Sequence, residues 1–349
     1  MTSAMPSPET VDQDHPGVSV VMPVLNEERY LATSVGRVLQ QDYPGELEVI
    51  LSVAPSQDRT AEIAAELAAA DARVRVVDNP AGKTPAALNV GIAAATYDVV
   101  VRVDGHGELT DHYIARAVEV LRRTGAANVG GVMDAVGETP FERAVAYGYN
   151  SPLGLGGSTF HLENSPEGPA DTVYLGVFRK ADLLAVGGFD ESMHRAQDWE
   201  LNYRLRKSGR SIWFSPDLRV TYRPRSSLAA LAKQFYETGK WRREVCRRYP
   251  ETASRRYLAP PTAVAGIAGG SLLGLLGLAT PAGWLKLGFL APLGYLLLVL
   301  GGALTAPKSL DPAARARLPL VLAVMHLCWG AGFIVGLRTP PSEMSGQKR

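Results

Sequence analysis

The sequence predicts an α/β fold, a doubly wound and mostly parallel sheet, followed by C-terminal transmembrane helices. Three observations carry that expectation. Short apolar, β-branched segments alternate four times with amphipathic ones in the first part of the chain. The charge reverses sharply along the chain: residues 1–201 hold 14 Lys and Arg against 29 Asp and Glu, whereas residues 202–256 hold 15 against 4. Beyond 257 the chain is nearly uncharged and strongly apolar.

Val18–Val24 reads as the first strand, with Asn26, Glu27 and Glu28 opening a helix to about Gln40. Leu47–Val53 is the second strand, followed by a polar turn from Pro55 to Thr60 and a helix rich in Ala and Glu. Val74–Val77 is the third, and Asn79–Lys83 leads into a helix through Asn89. Val99–Val103 is the fourth, a short, mostly apolar run rich in β-branched residues that reads as a buried parallel strand. No G-x-G-x-x-G follows the first strand, which counts against a dinucleotide site. The second half is less regular, and its Gly, Ser and Pro content over residues 151–172 reads as a long loop, a common place for function.

Three stretches are long enough to span a bilayer: Thr262–Thr280, Leu287–Leu304 and Leu318–Leu337. The basic collar precedes the first, and Lys308, Arg315 and Arg317 lie between the second and third. The positive-inside rule then puts the acidic domain on the cytoplasmic side of the cell (inner) membrane. A nucleic-acid patch is the other use for such a collar, but no nucleic-acid-binding motif accompanies it, so the expected partners are membrane lipids and no nucleic acid. The expected organisation is a disordered tail 1–17, an α/β domain 18–225, a basic amphipathic segment 226–260, a membrane region 261–338 and a tail 339–349. The polar start lacks the apolar core of a signal peptide. Cys246 and Cys328 make no disulfide framework and fit a reducing compartment.

The fourth strand ends in Asp104-Gly105-His106, at the sheet edge where ligands of open α/β sheets bind. A carboxylate and an imidazole flanking a glycine can reach one divalent cation, with a slight lean to Mn2+ over Mg2+. A strand ending in an Asp turn beside a surface His is the plainer account of the same residues.

The ordered motifs resemble glycosyltransferase family 2, which has a GT-A fold. The matching residues are Val20-Val21-Met22-Pro23-Val24-Leu25-Asn26-Glu27, Asp58-x-Thr60, Gly82-Lys83 with Ala87-Leu88-Asn89, and Asp104-Gly105-His106. Gly187-Gly188-Phe189-Asp190-Glu191 and Gln197-Asp198-Trp199-Glu200-Leu201 with Arg204-Leu205 complete the series. Asp-x-His in place of Asp-x-Asp, and the run through Tyr222-Arg223-Pro224-Arg225 to apolar spans, resemble membrane-bound bacterial exopolysaccharide enzymes of the succinoglycan type.

The resemblance implies that Pro23, Asn26 and Glu27 line the nucleoside pocket, that Asp58 sits near base or ribose, and that Lys83 and Asn89 help hold the donor with Asp104. It implies that Asp104 and His106 bind the metal. Asp198 is then the general base of an inverting transfer, with Glu200 the fallback, about 200° further round the helix. Asp190, Trp199 and Glu200 would meet the acceptor. Each has a structural counter-reading: Glu27 as a first-turn carboxylate, Asp58 as a cap, Lys83 as a surface cation, the glycines as backbone geometry alone. Val53 and Ala54 stand where the family usually ends its second strand in acids. The implied partners are a nucleotide-sugar donor, a UDP- or GDP-hexose, and a saccharide acceptor, polyprenyl-linked in the leading reading. A polyprenyl-phosphate sugar synthase and a non-catalytic nucleotide-sugar-binding membrane subunit are the alternatives.

Overall fold

The computed structural model describes residues 15–155, 159–161 and 165–337. Most of the expected N-terminal tail, and the C-terminal tail 339–349, lie outside the described residues. Residues just before the first strand are held: the Tyr43 hydroxyl donates to the Pro16 carbonyl, and Gly17 lies against the Tyr97 ring.

Nine strands are described, β1 (Val18–Val24), β2 (Leu47–Val53), β3 (Val74–Asp78), β4 (Val99–Arg102), β5 (Glu108–Leu109), β6 (Asn128–Ala135), β7 (Gly168–Pro169), β8 (Tyr174–Arg179) and β9 (Ile212–Tyr222). They form one sheet in the order β3-β2-β1-β4-β8-β6-β9-β5, with β7 on β9. The helices are α1 (Leu31–Leu39), α2 (Thr60–Ala70), α3 (Thr84–Ala94), α4 (Tyr113–Thr124), α5 (Pro140–Tyr149), α6 (Pro152–Leu155), α7 (Lys180–Ala185), α8 (Gln197–Lys207), α9 (Leu228–Arg248), α10 (Arg255–Ala279), α11 (Leu290–Leu304) and α12 (Pro312–Val335).

The four strands expected from alternation are parallel neighbours, β3 on β2, β2 on β1 and β1 on β4. Their inward residues, among them Val20, Met22, Leu51 and Val101, are fully buried together with Leu31, Val35 and Ile114 from the flanking helices. Beyond β4 the sheet turns antiparallel, β8 pairing with β4 and β6 with β8. Within residues 151–172, read as a loop, the described part includes α6, a single 3-10 turn at Thr159–His161 and β7.

The strand order reverses at β1, which runs between β2 on one side and β4 on the other. Such a switch point opens a crevice beyond the carboxyl ends of the two strands. It places the residues after Val24 and those after Arg102 at one edge, because Val21 pairs with Arg102.

The chain divides into two compact units. One comprises Met1–Gly131, Glu167–Glu191 and Leu201–Val220; the other comprises Val132–Pro166, Ser192–Glu200 and Thr221–Arg349. In the second unit, α12 packs on α9, α5 and α10. Glycine makes this approach possible. A Cβ at Gly239 would stand 2.0 Å from the Trp329 carbonyl oxygen, and one at Gly332 2.0 Å from that of Tyr236. Arg243 donates to the Ile334 carbonyl at the end of α12, where a cation meets unsatisfied carbonyls.

Three helical stretches are long and apolar enough to cross a membrane: Arg255–Ala279, Gly283–Leu304 and Pro312–Val335. Leu275, Leu278, Leu297 and Leu304 are exposed on them, as a lipid-facing surface requires. The first begins several residues before the expected Thr262. It takes in Arg255, Arg256 and Tyr257, which composition alone had assigned to the collar.

Candidate active site

The turn after β4 is built by its own residues. The Gly107 amide donates to the Asp104 carbonyl at 2.8 Å, and the Ser34 hydroxyl of α1 donates to the Gly107 carbonyl at 2.5 Å. Arg102, its side chain only 6% exposed, donates through Nε and Nη2 to Oδ1 of Asp104 at 3.2 and 2.9 Å. Asp104 Oδ2 takes no hydrogen bond among the described residues. The His106 Nδ1 lies 2.7 Å from Oε1 of Glu27, which comes from the loop after β1. Gly105 permits this pairing, since a Cβ there would stand 2.9 Å from the Glu27 Cγ.

Glu27 is therefore neither a first-turn carboxylate nor a helical residue, and the expected helix from Asn26 begins instead at Leu31. Asn26 has φ 56°, a left-handed conformation that Asn tolerates and a helix does not. The Asn26–Glu28 loop is knitted to the turn after β2. The Asn26 amide donates to the Ser56 hydroxyl, the Gln57 amide to Oδ1 of Asn26, and the Glu27 amide to the Thr60 hydroxyl at 2.7 Å. Asp58 accepts from the Thr60 hydroxyl and amide and from the Glu28 amide. The Thr60 hydroxyl chiefly, with those amides, holds its carboxyl below the usual range. The structure thus uses Asp58 to brace the loop that presents Glu27. Pro23 is half-buried in β1, beyond its last pair with β4.

Lys83 is exposed at the N-cap of α3, after Gly82 at φ 65°, beside the unsatisfied amides of a helix start. Asn89 lies further along the same helix and serves as a latch. Its Nδ2 donates to the Phe189 carbonyl at 2.9 Å and to Glu191 at 3.0 Å, and its Oδ1 accepts from the Phe189 amide at 2.8 Å. Gly187 and Gly188 have φ of 81° and 70°, and a Cβ at Gly188 would stand 2.7 Å from Oδ1 of Asn89. These glycines serve backbone geometry and the latch together. Arg204 grips the same loop, donating to the Val186 and Gly188 carbonyls at 2.6 and 2.8 Å. Asp190, half-buried, sits between these fastenings.

In the second unit, Ala196 has φ 59°, a strained value for a residue with a Cβ, immediately before the helix start that carries Asp198. Asp198 is half-buried in that first turn. Trp199 is 7% exposed, with the Arg242 guanidinium 5.0 Å from its ring centre. Glu200 is 1% exposed and accepts from the Tyr249 hydroxyl at 2.9 Å. The two carboxylates therefore differ in surroundings, as their angular separation predicts: Glu200 faces the packed interior, and Asp198 retains surface.

No group of three His, Cys, Asp or Glu side chains able to hold a metal exists among the described residues. Asp104 and His106 are two such donors, with Glu27 bonded to the imidazole. A carboxylate oriented by an arginine and an imidazole oriented by a carboxylate form a donor set that fits a hard or borderline divalent cation with ligand oxygens completing its shell. Arg102 and Tyr249 escaped the sequence reading, and Arg204 stood in a matching motif without a role of its own. Arg102 alone left a trace, an arginine inside an otherwise apolar strand.

The family model for Glycosyl transferase family 2 matches residues 19–182. The succinoglycan biosynthesis protein ExoA of Rhizobium meliloti (strain 1021) is 34% identical over 319 residues, covering 90% of this chain and 93% of that protein. A dolichyl N-acetyl-alpha-D-glucosaminyl phosphate 3-beta-D-2,3-diacetamido-2,3-dideoxy-beta-D-glucuronosyltransferase of Methanococcus voltae is 27% identical over 236 residues, 64% of this chain and 71% of that protein. Among solved structures, the mannosyltransferase PcManGT from Pyrobaculum calidifontis, in complex with GDP-Man and Mn2+, shares the fold. Its TM-score is 0.56 at 18% identity over 92% of this chain and 86% of that one.

Proposed function

The chain belongs to glycosyl transferase family 2, and from that premise we propose a membrane-anchored inverting hexosyltransferase. It moves a hexose from UDP or GDP to a saccharide on a lipid carrier, in cell-surface or exopolysaccharide synthesis. The observation that carries the reading is the braced Asp104-Gly105-His106 turn, facing Glu27 across the switch point of the sheet. The relatives support the acceptor class: one is a succinoglycan biosynthesis protein, the other acts on a dolichyl-phosphate-linked sugar.

In this proposal the Asn26–Glu27 loop and Pro23 line the nucleoside site, and Asp58 keeps that loop in place. Lys83, with the start of α3, receives the diphosphate as a mobile cation. Asp104 and His106 would hold Mn2+ or Mg2+, which when bound neutralises charge on the departing diphosphate. Arg102 fixes one carboxylate oxygen of Asp104 and leaves the other available. Asn89 and Arg204 set the Gly187–Glu191 loop, on which Asp190 would contact an acceptor hydroxyl. Asp198 takes the proton from the attacking hydroxyl as that oxygen bonds to the anomeric carbon. The sugar–phosphate bond breaks on the opposite face, and the configuration inverts. The three apolar helices anchor the enzyme, with the α/β part on the cytoplasmic side of the inner membrane.

The test uses full-length protein in nanodiscs, a panel of nucleotide-hexoses and a saccharide on polyprenyl diphosphate, with nucleotide diphosphate release and anomeric configuration as readouts. The expected result is an inverted glycosidic bond formed only with a divalent cation. An acid-labile glycosyl phosphate on bare polyprenyl phosphate would instead identify a polyprenyl-phosphate sugar synthase. Undiminished turnover after complete chelation would overturn the metal assignment.

A further inference from the structure

The expected third span, α12, is fastened from end to end to helices too polar to enter a bilayer. Just before its start, the Arg143 guanidinium of α5 pairs with Asp311 at 3.0 Å. Midway, Met325 lies against α5, where a Cβ at Gly148 would stand 2.8 Å from its sulfur. Further on, Trp329 and Gly332 meet Gly239 and Tyr236 of α9. At the last turn, Nη1 of Arg243, also on α9, donates to the Phe333 and Ile334 carbonyls.

From Asp311 to Ile334 the helix rises about 35 Å, more than a hydrocarbon core is thick. If α12 crossed the membrane, its two arginine contacts would lie on opposite surfaces, and α9 would have to reach the far one. That helix carries Lys233, Glu237 and Lys240 before Arg243, and Arg247 and Arg248 after it. Such a row of charges is costly in hydrocarbon. Both partner helices are also on short leads. Residues 223–227 alone separate α9 from β9, and residues 136–139 alone separate α5 from β6. The longer of these links reaches at most about 18 Å, well short of a bilayer. Helices α5 and α9 therefore lie on one side of the membrane, and both ends of α12 lie there with them.

Its composition has another cause than spanning. A helix that is apolar all round is either a span or one buried on several sides. In α12, Leu318 and Leu322 pack on Val299 and Ala303 of α11, and Val321, Met325 and Trp329 are buried as well. Of its most apolar stretch 33% is buried, against 17% for each of the other two apolar helices. What it leaves open, Leu320, Ile334 and Val335, is apolar, and Lys308 and Arg317 stand exposed near its start. Cations beside apolar side chains suit the headgroup boundary of an anionic membrane.

We propose that α12 does not cross the membrane. Helices α10 and α11 enter and return as a hairpin, and α12 lies in the plane of the bilayer surface with its open face on lipid. Leu337, just past α12, is then on the side that holds α9. Two crossing helices enclose no pore, so this chain adds sugar without carrying it across. The inference rests on the membrane-anchored reading and adds the path of the chain through the bilayer.

The experiment uses the full-length protein in bacterial spheroplasts, with Cys246→Ser and Cys328→Ser removing the native thiols. Single cysteines are introduced as Lys233→Cys on α9, Gly283→Cys in the turn after α10, where a side chain has open space, and Leu337→Cys. Intact spheroplasts are blocked with a membrane-impermeant maleimide, then lysed and labelled with a second maleimide. Blocking should abolish later labelling of Gly283→Cys and leave that of Lys233→Cys and Leu337→Cys undiminished. A second measurement keeps both native cysteines and joins a fluorescent protein or an alkaline phosphatase after Arg349. The fluorescent protein should be bright and the phosphatase inactive, which carries the test if a cysteine variant does not fold.

Leu337→Cys blocked from outside while Lys233→Cys is spared, or an active phosphatase, shows that α12 crosses and overturns the proposal. Gly283→Cys spared like the other two overturns it as well, since no segment then crosses. Release of the protein from membranes by alkaline carbonate sinks the membrane-anchored reading itself. Retention in the membrane with Leu337→Cys blocked sinks only the in-plane helix.

Discussion

The Asp104 turn and the start of α8 are both candidate catalytic edges, yet they are held in place by different means. At the first, Arg102 reaches Asp104 only two residues on, and His106 to Glu27 and the Ser34 hydroxyl to the Gly107 carbonyl tie the turn to the segment after β1. At the second, Trp199 and Glu200 are held by Arg242 and Tyr249, some 40 to 50 residues further along the chain. Polar contacts within a turn follow from adjacent residues. Stacking and packing between distant helices do not. The first edge is thus a local motif with a brace, and the second a product of the helical pack.

Substitutions can break or sharpen that contrast, and the largest effect is expected at α8. Asp198→Asn should lower turnover by about 10²–10³-fold with donor KM nearly unchanged, because only the proton acceptor is lost. Nucleotide diphosphate release in the steady state measures it, and full activity would remove Asp198 from the mechanism.

At the other edge, Arg102→Met should cut kcat/KM by about 10–100-fold, since Asp104 loses the group that fixes its carboxylate. The same variant should need more Mn2+ for half-maximal rate. A drop in rate with an unaltered Mn2+ titration would mean that Arg102 acts on folding instead.

Asn89→Ala removes three hydrogen bonds from the Gly187–Glu191 loop and should cost about 1–3 kcal/mol of stability, read by denaturant midpoint, with acceptor KM rising before donor KM.

The smallest effect concerns Glu48, which no motif singled out. Burial pushes its carboxyl up, but hydrogen bonds from the Ser19 hydroxyl and from Thr96, with Arg75 alongside, outweigh this and bring it below its usual value. A carboxyl lowered in the folded state stabilises above its unfolded pKa, near 4.5, and that contribution fades as pH falls through the folded value. Glu48→Gln should therefore flatten the fall in melting temperature between pH 5 and the acid limit, while the wild type keeps the steeper slope.

The four parallel strands were legible because buried, β-branched runs and amphipathic helices carry their periods in the sequence. The antiparallel half was not, since no periodicity encodes which neighbours β8, β6 and β9 pair with. Among the site residues, Asp104, His106 and Glu27 could be named as candidates, but not the pairing of His106 with Glu27. The place of Asn89 as a latch needed Phe189 and Glu191, about a hundred residues away, to be visible.

The sequence by itself determined the alternation that makes the sheet, the chemistry at the end of its fourth strand and the apolar spans, because these reside in neighbouring residues and their periods. Only the tertiary structure decided that Arg102 braces Asp104, that Asp58 and Asn89 act as fastenings and that Glu200 faces inward. Those outcomes depend on which distant groups compete for each donor and acceptor once burial has removed water.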